Sequence, residues 1–188
     1  GYTTRYREKG ASGWEMTPVT KIEQLRGAEE FELKEDWAWK HFEDYEGAGW
    51  KIHVAADPET KEDAASVAEI LLPFLNQNGI YHKISVTMME FRSHNKGEDV
   101  YGKLITVYPR SDQNSGYNIS NTEQIIQGIA GELSGNGMLS GGPPLSKTGS
   151  RDEKRVVIDG TPSRIHVRWV IGDPPQEDAS ISFNLTDP

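Results

Sequence analysis

Four stretches of the chain alternate apolar and polar residues, a pattern typical of a β-strand with one buried face. The first is residues 50–54, Trp-Lys-Ile-His-Val, and similar patterns occur at residues 81–86, 103–108 and 164–169. If these strands share one sheet, the face opposite the apolar one collects six basic or imidazole side chains: Lys51, His53, Lys83, Arg164, His166 and Arg168. The pattern therefore predicts a basic, titratable face.

Two helical patterns lie between these strands. The first follows Asp57-Pro58, read as an N-cap and a first helical residue, contains Pro73 as an expected kink and stops at Asn78-Gly79. The second follows the capping-box spacing of residues 120–123 and stops at residues 135–137. The order β-α-β-β-α-β-β predicts an α+β domain, a mainly antiparallel sheet with two helices packed on one face and an open basic face that carries the site.

The chain of 188 residues favours a single domain. We assign residues 49–172 to its core, with Asp159-Gly160 as the turn of a hairpin. Residues 1–48 are expected to form an N-terminal arm, loose as far as residue 18, and one or two short helices. Residues 173–188 are expected to form a polar C-terminal tail, in which residues 181–185 could add an edge strand.

Composition excludes several kinds of partner and site. A formal net charge of −9 argues against nucleic acid and anionic membranes as partners, because both require an extended basic field. The absence of cysteine excludes disulfides and thiolate metal sites, and the five histidines lack zinc-site spacings, so no metal and no cofactor are expected. We find no signal peptide and no bilayer-spanning run, which favours a cytoplasmic protein.

A local cationic face inside an acidic protein suits a dianionic phosphate monoester. Charge-assisted hydrogen bonds from Lys, Arg and His are about twice as strong as neutral ones. Retention of phosphate would need only the arginines, whereas Lys83 and His53 add proton transfer. A lysine among cations has a lowered pKa and can accept a proton, while phosphate keeps a neighbouring imidazole protonated.

An ordered set of segments resembles the phosphothreonine lyase family. It comprises residues 49–54, Gly-Trp-Lys-Ile-His-Val, then 82–85, His-Lys-Ile-Ser, and 102–109, Gly-Lys-Leu-Ile-Thr-Val-Tyr-Pro, and includes residues 112–115 and 136–141. The family contains type III secreted effectors that inactivate host MAP kinases, and the lyase domains of class III, IV and V lanthipeptide synthetases. No single segment is specific, but the order of the set is.

The resemblance implies a metal-independent β-elimination of phosphate from phosphothreonine or phosphoserine in a peptide or protein. Dehydrobutyrine or dehydroalanine would remain, and a separate kinase would supply the phosphorylated substrate. Lys83 matches the general base of the family and His53 its general acid. Lys51 and Tyr108 match positions near the reacting centre that could hold an enolate-like oxygen and assist the acid.

The resemblance also implies the groups that bind phosphate. Arg168 lies in the strand that supplies a phosphate-binding arginine, and Arg110 matches a basic position two residues after the tyrosine. A further family arginine precedes the third strand. The spacing departs from the family there, and Arg92 and Lys96 are the candidates.

Two other functions are compatible with the same residues. A phosphopeptide-binding module would use the basic face without turnover. A two-histidine phosphoesterase would need His-x-Thr or His-x-Ser twice, whereas this chain has His53-Val54-Ala55 and His166-Val167-Arg168. Within the lyase interpretation, the strand motifs resemble the lanthipeptide enzymes and the segments at 112–115 and 136–141 resemble the effectors. We find no kinase-docking segment in residues 1–48, which favours lanthipeptide biosynthesis.

Overall fold

A computed structural model of the protein describes the following parts of the chain: residues 5–10, 13–18, 31–32, 49–85, 91–92, 95–96, 98, 100–112, 117–145, 153–169 and 180–188. These residues form two separate β-sheets, one of three strands and one of six. The six-stranded sheet and two long helices contain all the predicted strands and helices of residues 49–172.

The three-stranded sheet is formed by β1 (Arg5–Gly10), β2 (Gly13–Pro18) and β3 (Phe31–Glu32). Both neighbours of β1 are antiparallel to it, in the order β2-β1-β3. Residues 5–10 and 13–18, within the segment that we predicted to be a loose arm, therefore form two paired strands. A short strand also replaces helix at residues 31–32, and the rest of the predicted helical region, residues 20–45, lies outside the described residues.

The six-stranded sheet is antiparallel throughout and has the order β5-β6-β4-β8-β7-β9. Its strands are β4 (Trp50–Ala55), β5 (His82–Ile84), β6 (Lys103–Val107), β7 (Lys154–Ile158), β8 (Thr161–Trp169) and β9 (Asn184–Thr186). Asp159 and Gly160 join β7 to β8 with φ angles of 48° and 79°. Two consecutive positive φ angles match the right-handed twist of a hairpin, which confirms the predicted turn.

The C-terminal segment belongs to this sheet. β9 pairs with β7, and Ile181 just before it is buried. The edge strand expected near residues 181–185 is therefore present, shifted toward the C-terminus. The last strand of the sheet therefore lies beyond residue 172, in the segment assigned to the tail.

Two helices cover one face of the sheet, as predicted. They are α1 (Lys61–Gln77) and α2 (Ile119–Gly135). α1 continues through Pro73 instead of ending there, and its N-cap is Thr60 instead of Asp57. α2 begins earlier than the predicted capping box, because the carboxylate of Asp112 accepts the backbone N–H groups of Ser120 and Asn121 at 3.0 Å. An acid at that end also complements the helix dipole.

The core lies between the helices and the apolar face of the sheet. It contains the apolar stripes of both helices and alternate residues of β4, β6 and β8. Trp50 and Trp169 close one end of it, with ring centroids 5.3 Å apart in an edge-on arrangement. The remaining side chains of those strands therefore lie on the opposite face, where the candidate site is found.

Candidate functional site

A single row of side chains crosses the second face of the sheet. Lys83 of β5 and His53 of β4 both pair with Thr106 of β6, so they lie on either side of it. His53 pairs in turn with His166 of β8, and His166 pairs with Arg155 of β7. Directly paired residues point to the same face of a sheet. Lys83 and His53 consequently face the same side, with backbones about 10 Å apart across two strand spacings.

A second row lies beside the first. Lys51 of β4 pairs with Arg168 of β8, and the Lys51 ammonium lies 6.0 Å from the centre of the Tyr108 ring. Burial of Lys51, together with the positive charges of Arg168 and Lys83, lowers its pKa from 10.5 to about 7. Lys51 is therefore close to half-protonated at neutral pH, which is the behaviour that the sequence analysis expected of Lys83.

The side chains of this face are more buried than a solvated surface. Lys51 and Lys83 are half-buried, whereas His53, Arg164, His166 and Arg168 are buried. That a ligand can reach this face stays a prediction. The burial itself means that each charge on the face needs a nearby partner.

Arg164 has a structural role that separates it from the other basic residues. Its guanidinium donates to both carboxylate oxygens of Asp63 at 3.1 Å and to the carbonyls of Ala55, Met138 and Ser140. Gly141 packs so closely that a Cβ there would lie 2.4 Å from Nη2 of Arg164. These contacts tie α1 and the segment after α2 to the sheet, so Arg164 is satisfied within the fold.

His53 forms the tightest polar contact on the face. Its Nδ1 lies 2.6 Å from Oε1 of Glu153, and both side chains are almost completely buried. Burial lowers the pKa of His53 to about 4, although Glu153 acts in the opposite direction. Burial alone would raise the pKa of Glu153, but the charge interaction with His53 and their hydrogen bond lower it. At neutral pH the pair is therefore a carboxylate that accepts a hydrogen bond from a neutral imidazole.

Glu153 has a second carboxylate oxygen that is not satisfied by the fold. Oε2 is buried and has no hydrogen-bond partner among the described residues. The sequence analysis missed Glu153, since it lies next to a Gly/Pro/Ser-rich loop and 100 residues from His53. The available signal was its position one residue before β7. That strand is adjacent to β8, which carries His166 and Arg168.

His166 and His82 are held as neutral donors and acceptors. His166 lies 3.1 Å from the carbonyl of Arg164 through Nδ1, and its Nε2 accepts the N–H of Leu145 at 3.5 Å. His82 lies 2.7 Å from the carbonyl of Ile80. Burial lowers the pKa of each imidazole to about 4.

A buried asparagine fixes the strands that carry Lys51 and Tyr108. Asn118 accepts the N–H of Trp50 at 2.8 Å and donates to the carbonyls of Trp50 and Pro109. Gly49 allows this approach, because a Cβ at that position would lie 2.2 Å from Oδ1 of Asn118. The start of β4 and the residues after β6 are thus joined through one carboxamide.

The other predicted phosphate-binding residues lie elsewhere. Arg110 is exposed, and its guanidinium stacks 4.5 Å from the centre of the Tyr81 ring. Lys96 is exposed and lies 3.9 Å from a carboxylate oxygen of Glu59. Arg92 is also exposed. No contact among the described residues joins Arg92 or Lys96 to the two rows. Of the predicted phosphate ligands, Arg168 is the one that the fold brings into these rows.

Two searches of the described residues gave no site of another kind. They contain no group of three or more His, Asp or Glu side chains that could hold a metal ion. They also contain no helix long and apolar enough to span a bilayer.

Comparison with known protein families gives one match. The family model described as RamC, N-terminal domain matches residues 21–134, which is more than half of the chain. The chain belongs to this family. No curated protein sequence matches the chain.

The RamC N-terminal domain match covers only part of the candidate site. It contains Lys51, His53, Lys83 and Tyr108, together with both helices apart from the last residue of α2. Glu153 and Arg168 lie after its end. The two rows therefore combine strands inside the matched region with two strands outside it.

Proposed function

We propose that the protein is a carbon–oxygen lyase that removes phosphate by β-elimination from phosphothreonine or phosphoserine in a peptide or protein. The bond that breaks joins Cβ to the phosphate oxygen, and the bond that forms is a second bond between Cα and Cβ. One proton leaves Cα and one proton reaches the departing phosphate. The products are phosphate and a dehydrobutyrine or dehydroalanine residue, with no change in oxidation state to be balanced by another reactant.

One observation carries the proposal, namely that Lys83 and His53 lie on the same face on either side of Thr106. An elimination needs a base at Cα and an acid at the oxygen on Cβ. Two groups on strands about 10 Å apart can approach one amino acid from both sides. Side chains on opposite faces of the sheet could not do this.

Lys83 is proposed as the base. Removal of the Cα proton places negative charge on the carbonyl oxygen of the same residue, and a nearby cation stabilises that charge. Lys51 lies in the neighbouring row and interacts electrostatically with Lys83. The ammonium form of Lys51, together with the hydroxyl of Tyr108, is proposed to hold the enolate-like oxygen. Since the pKa of Lys51 is about 7, this role favours pH values at or below neutrality.

His53 is proposed as the acid, and Glu153 as the residue that positions it. In the ligand-free protein His53 is neutral at neutral pH, because its pKa is about 4. A phosphate dianion beside it would raise that pKa, and the Glu153 carboxylate at 2.6 Å acts in the same direction. We therefore expect His53 to take up a proton when the phosphopeptide binds. The proton then passes to the leaving oxygen.

Arg168 is proposed as the main phosphate ligand, since it lies beside Lys51 in the second row. Arg110, Arg92 and Lys96 stay candidates for contacts with the rest of the substrate. All three are exposed, so they would meet groups outside the buried centre.

We place the reaction in lanthipeptide biosynthesis in the cytoplasm, with a kinase supplying the phosphorylated peptide. Membership in the RamC N-terminal domain family supports this setting, because RamC is a lanthipeptide-related protein. A secreted effector that acts on host MAP kinases is the alternative setting for the same chemistry.

Mass spectrometry of a synthetic phosphothreonine peptide tests the proposal. The lyase predicts a product lighter by one H₃PO₄, and that product should form an adduct with an added thiol. A phosphatase would remove HPO₃ and regenerate threonine, which forms no such adduct. An unchanged peptide would overturn the proposal and leave a phosphopeptide-binding module, for which the cations of the two rows are sufficient.

A further inference from the structure

A cavity of about 450 Å³ lies outside the two rows of the candidate site. It is formed by the end of α1, the residues between α1 and β5, the residues after β6 and the first half of α2. Its volume falls within the range of about 300–1,000 Å³ that is typical of ligand sites. The chemistry proposed above uses no residue of this cavity except Tyr108, with Arg110 as a candidate.

The wall of the cavity is apolar surface that the core leaves incompletely covered. Phe74, Ile80 and Ile125 pack against the core but are only partly buried. Gly128 of α2 lets the ring of Phe74 approach, since a Cβ at residue 128 would lie 2.4 Å from its Cζ. Covering such surface with a ligand side chain contributes roughly 25 cal/mol for each Å² removed from water, so the wall favours an apolar occupant.

The rim of the cavity is cationic or neutral. Arg110 stacks on the Tyr81 ring, and the other polar side chains of the lining are the carboxamides of Asn78, Asn121 and Gln124. Among the described residues, no carboxylate lines the cavity, although the chain has a net charge of −9. An anionic chain is therefore favoured here over a cationic one. Carboxamides also suit the N–H and C=O groups of a peptide backbone.

The cavity and the candidate site share Tyr108. This residue lines the cavity, and its ring centre lies 6.0 Å from the ammonium of Lys51. An extended peptide advances about 3.3 Å for each residue. A side chain in the cavity would consequently belong to a residue close to the reacting one along the peptide.

We propose that this cavity binds an apolar side chain of the phosphorylated peptide, at one position close to the phosphorylated residue. The proposal rests on the lyase function above and gives it a sequence preference. The apolar side chain contacts Phe74, Ile80 and Ile125, while the backbone around it meets Asn121 and Gln124. The negative charge of the peptide is complemented by Arg110 at the rim.

The test uses phosphothreonine peptides in which a single leucine is moved through a Gly/Ser background. Wild-type protein should favour leucine at one position by roughly tenfold in kcat/KM, with the difference in KM. Gln124→Trp places a large ring over the cavity and should remove this preference. Gln127→Trp is the matched control, because Gln127 is exposed on the same helix and does not line the cavity.

The outcomes separate the cavity from the chemistry. A leucine preference that survives in Gln124→Trp, or no preference at any position, would overturn the cavity proposal while leaving the lyase intact. Fluorescence polarisation of the same peptides covers the case in which no phosphate is released. Leucine-dependent binding that Gln124→Trp removes would then support the cavity and reject the lyase. Thermal unfolding of both Trp variants verifies that they are folded.

Discussion

The two faces of the six-stranded sheet are made by the same strands, yet they bury different chemistry. The face under the helices buries apolar side chains from β4 and β8, such as Ile52, Val54 and Val167, each with no exposed surface. The other face buries His53 and His166 almost as completely. Burial stabilises the first set, whereas it opposes the charged forms of the second.

The difference is visible in the titration of the second face. The pKa values of Lys51, His53 and His166 are all lowered, and burial is the largest cause for each. A protein selected for stability alone would place apolar residues there. The comparison therefore supports the proposal that this face serves a chemical function. It also predicts that substitutions against the apolar face lower stability without changing turnover. Replacing the buried ammonium on the second face should instead raise stability and lower turnover.

Leu71→Ala should have the largest effect on stability. Leu71 is fully buried in the core against the apolar face, so the substitution leaves a cavity and should lower the free energy of unfolding by about 3 kcal/mol. Leu71→Met keeps the volume and should cost less than about 1.5 kcal/mol. Urea denaturation measures both. Turnover per folded molecule should stay unchanged, and a specific loss of turnover would contradict the division between the faces.

Among the residues that act by positioning another group, Glu153 should have the largest effect on turnover when it is replaced by Gln. The amide keeps the shape but no longer favours a protonated His53, so kcat should fall roughly 100-fold. Calorimetry of phosphopeptide binding in buffers of different ionisation enthalpy should show proton uptake by the wild type and less by the variant. Glu153→Asp should recover part of both. Unchanged proton uptake in Glu153→Gln would limit Glu153 to a structural role.

His82→Asn tests what burying an imidazole costs away from the two rows. Its folded pKa is about 4 and its ordinary value 6.5, so the unfolded chain takes up a proton first as the pH falls. The stability due to neutral His82 is therefore complete above pH 6.5 and is lost toward pH 4. Between pH 7 and pH 5 the loss from this residue should be about 2 kcal/mol.

The Asn variant can still donate to the carbonyl of Ile80, so this contact is retained. Its stability should fall less than that of the wild type between the two pH values, as measured by urea midpoints. His53 and His166 should keep the variant partly acid-sensitive, because their pKa values are also about 4. An identical pH dependence in both proteins would contradict the account.

Lys51→Met should have the smallest effect on stability, and it should stabilise the fold instead of destabilising it. It replaces a buried ammonium beside Arg168 with an apolar side chain of similar length and should raise the free energy of unfolding by about 1–2 kcal/mol at neutral pH. Turnover should fall in the same variant. Lys154→Met is the control on the same sheet, because it breaks only the pair with exposed Asp187 and should change stability by less than about 1 kcal/mol.

Local patterns predicted most of the six-stranded domain from the sequence. These patterns recur within a few residues of one another: apolar and polar residues alternate in β4 and β8, and apolar stripes run along both helices. The structure has strands and helices where they predict them. Helix starts were less predictable. Asp112 caps α2 from outside the helix, and Asn118 binds Trp50 across 68 residues instead of capping its own helix.

The candidate site was predicted where it depends on strand pairing and missed where it depends on a distant contact. Lys51, His53 and Lys83 followed from alternation, since direct pairing of the strands keeps them on one face. Glu153 depends on the position of β7, which no local pattern fixes. Arg164 has the same alternation as His166 and Arg168, but its contact with Asp63 makes it structural.

The most direct test of the central claim compares turnover and affinity in Lys83→Ala. If this face carries out proton transfer, the variant should release phosphate at least about 1,000-fold more slowly than the wild type. Its Kd for the phosphopeptide should change by less than about threefold, because Arg168 still holds the phosphate. Lys83→Arg should be equally inactive, since a guanidinium does not give up its proton. Retained turnover, or an affinity that falls as far as turnover does, would contradict the account.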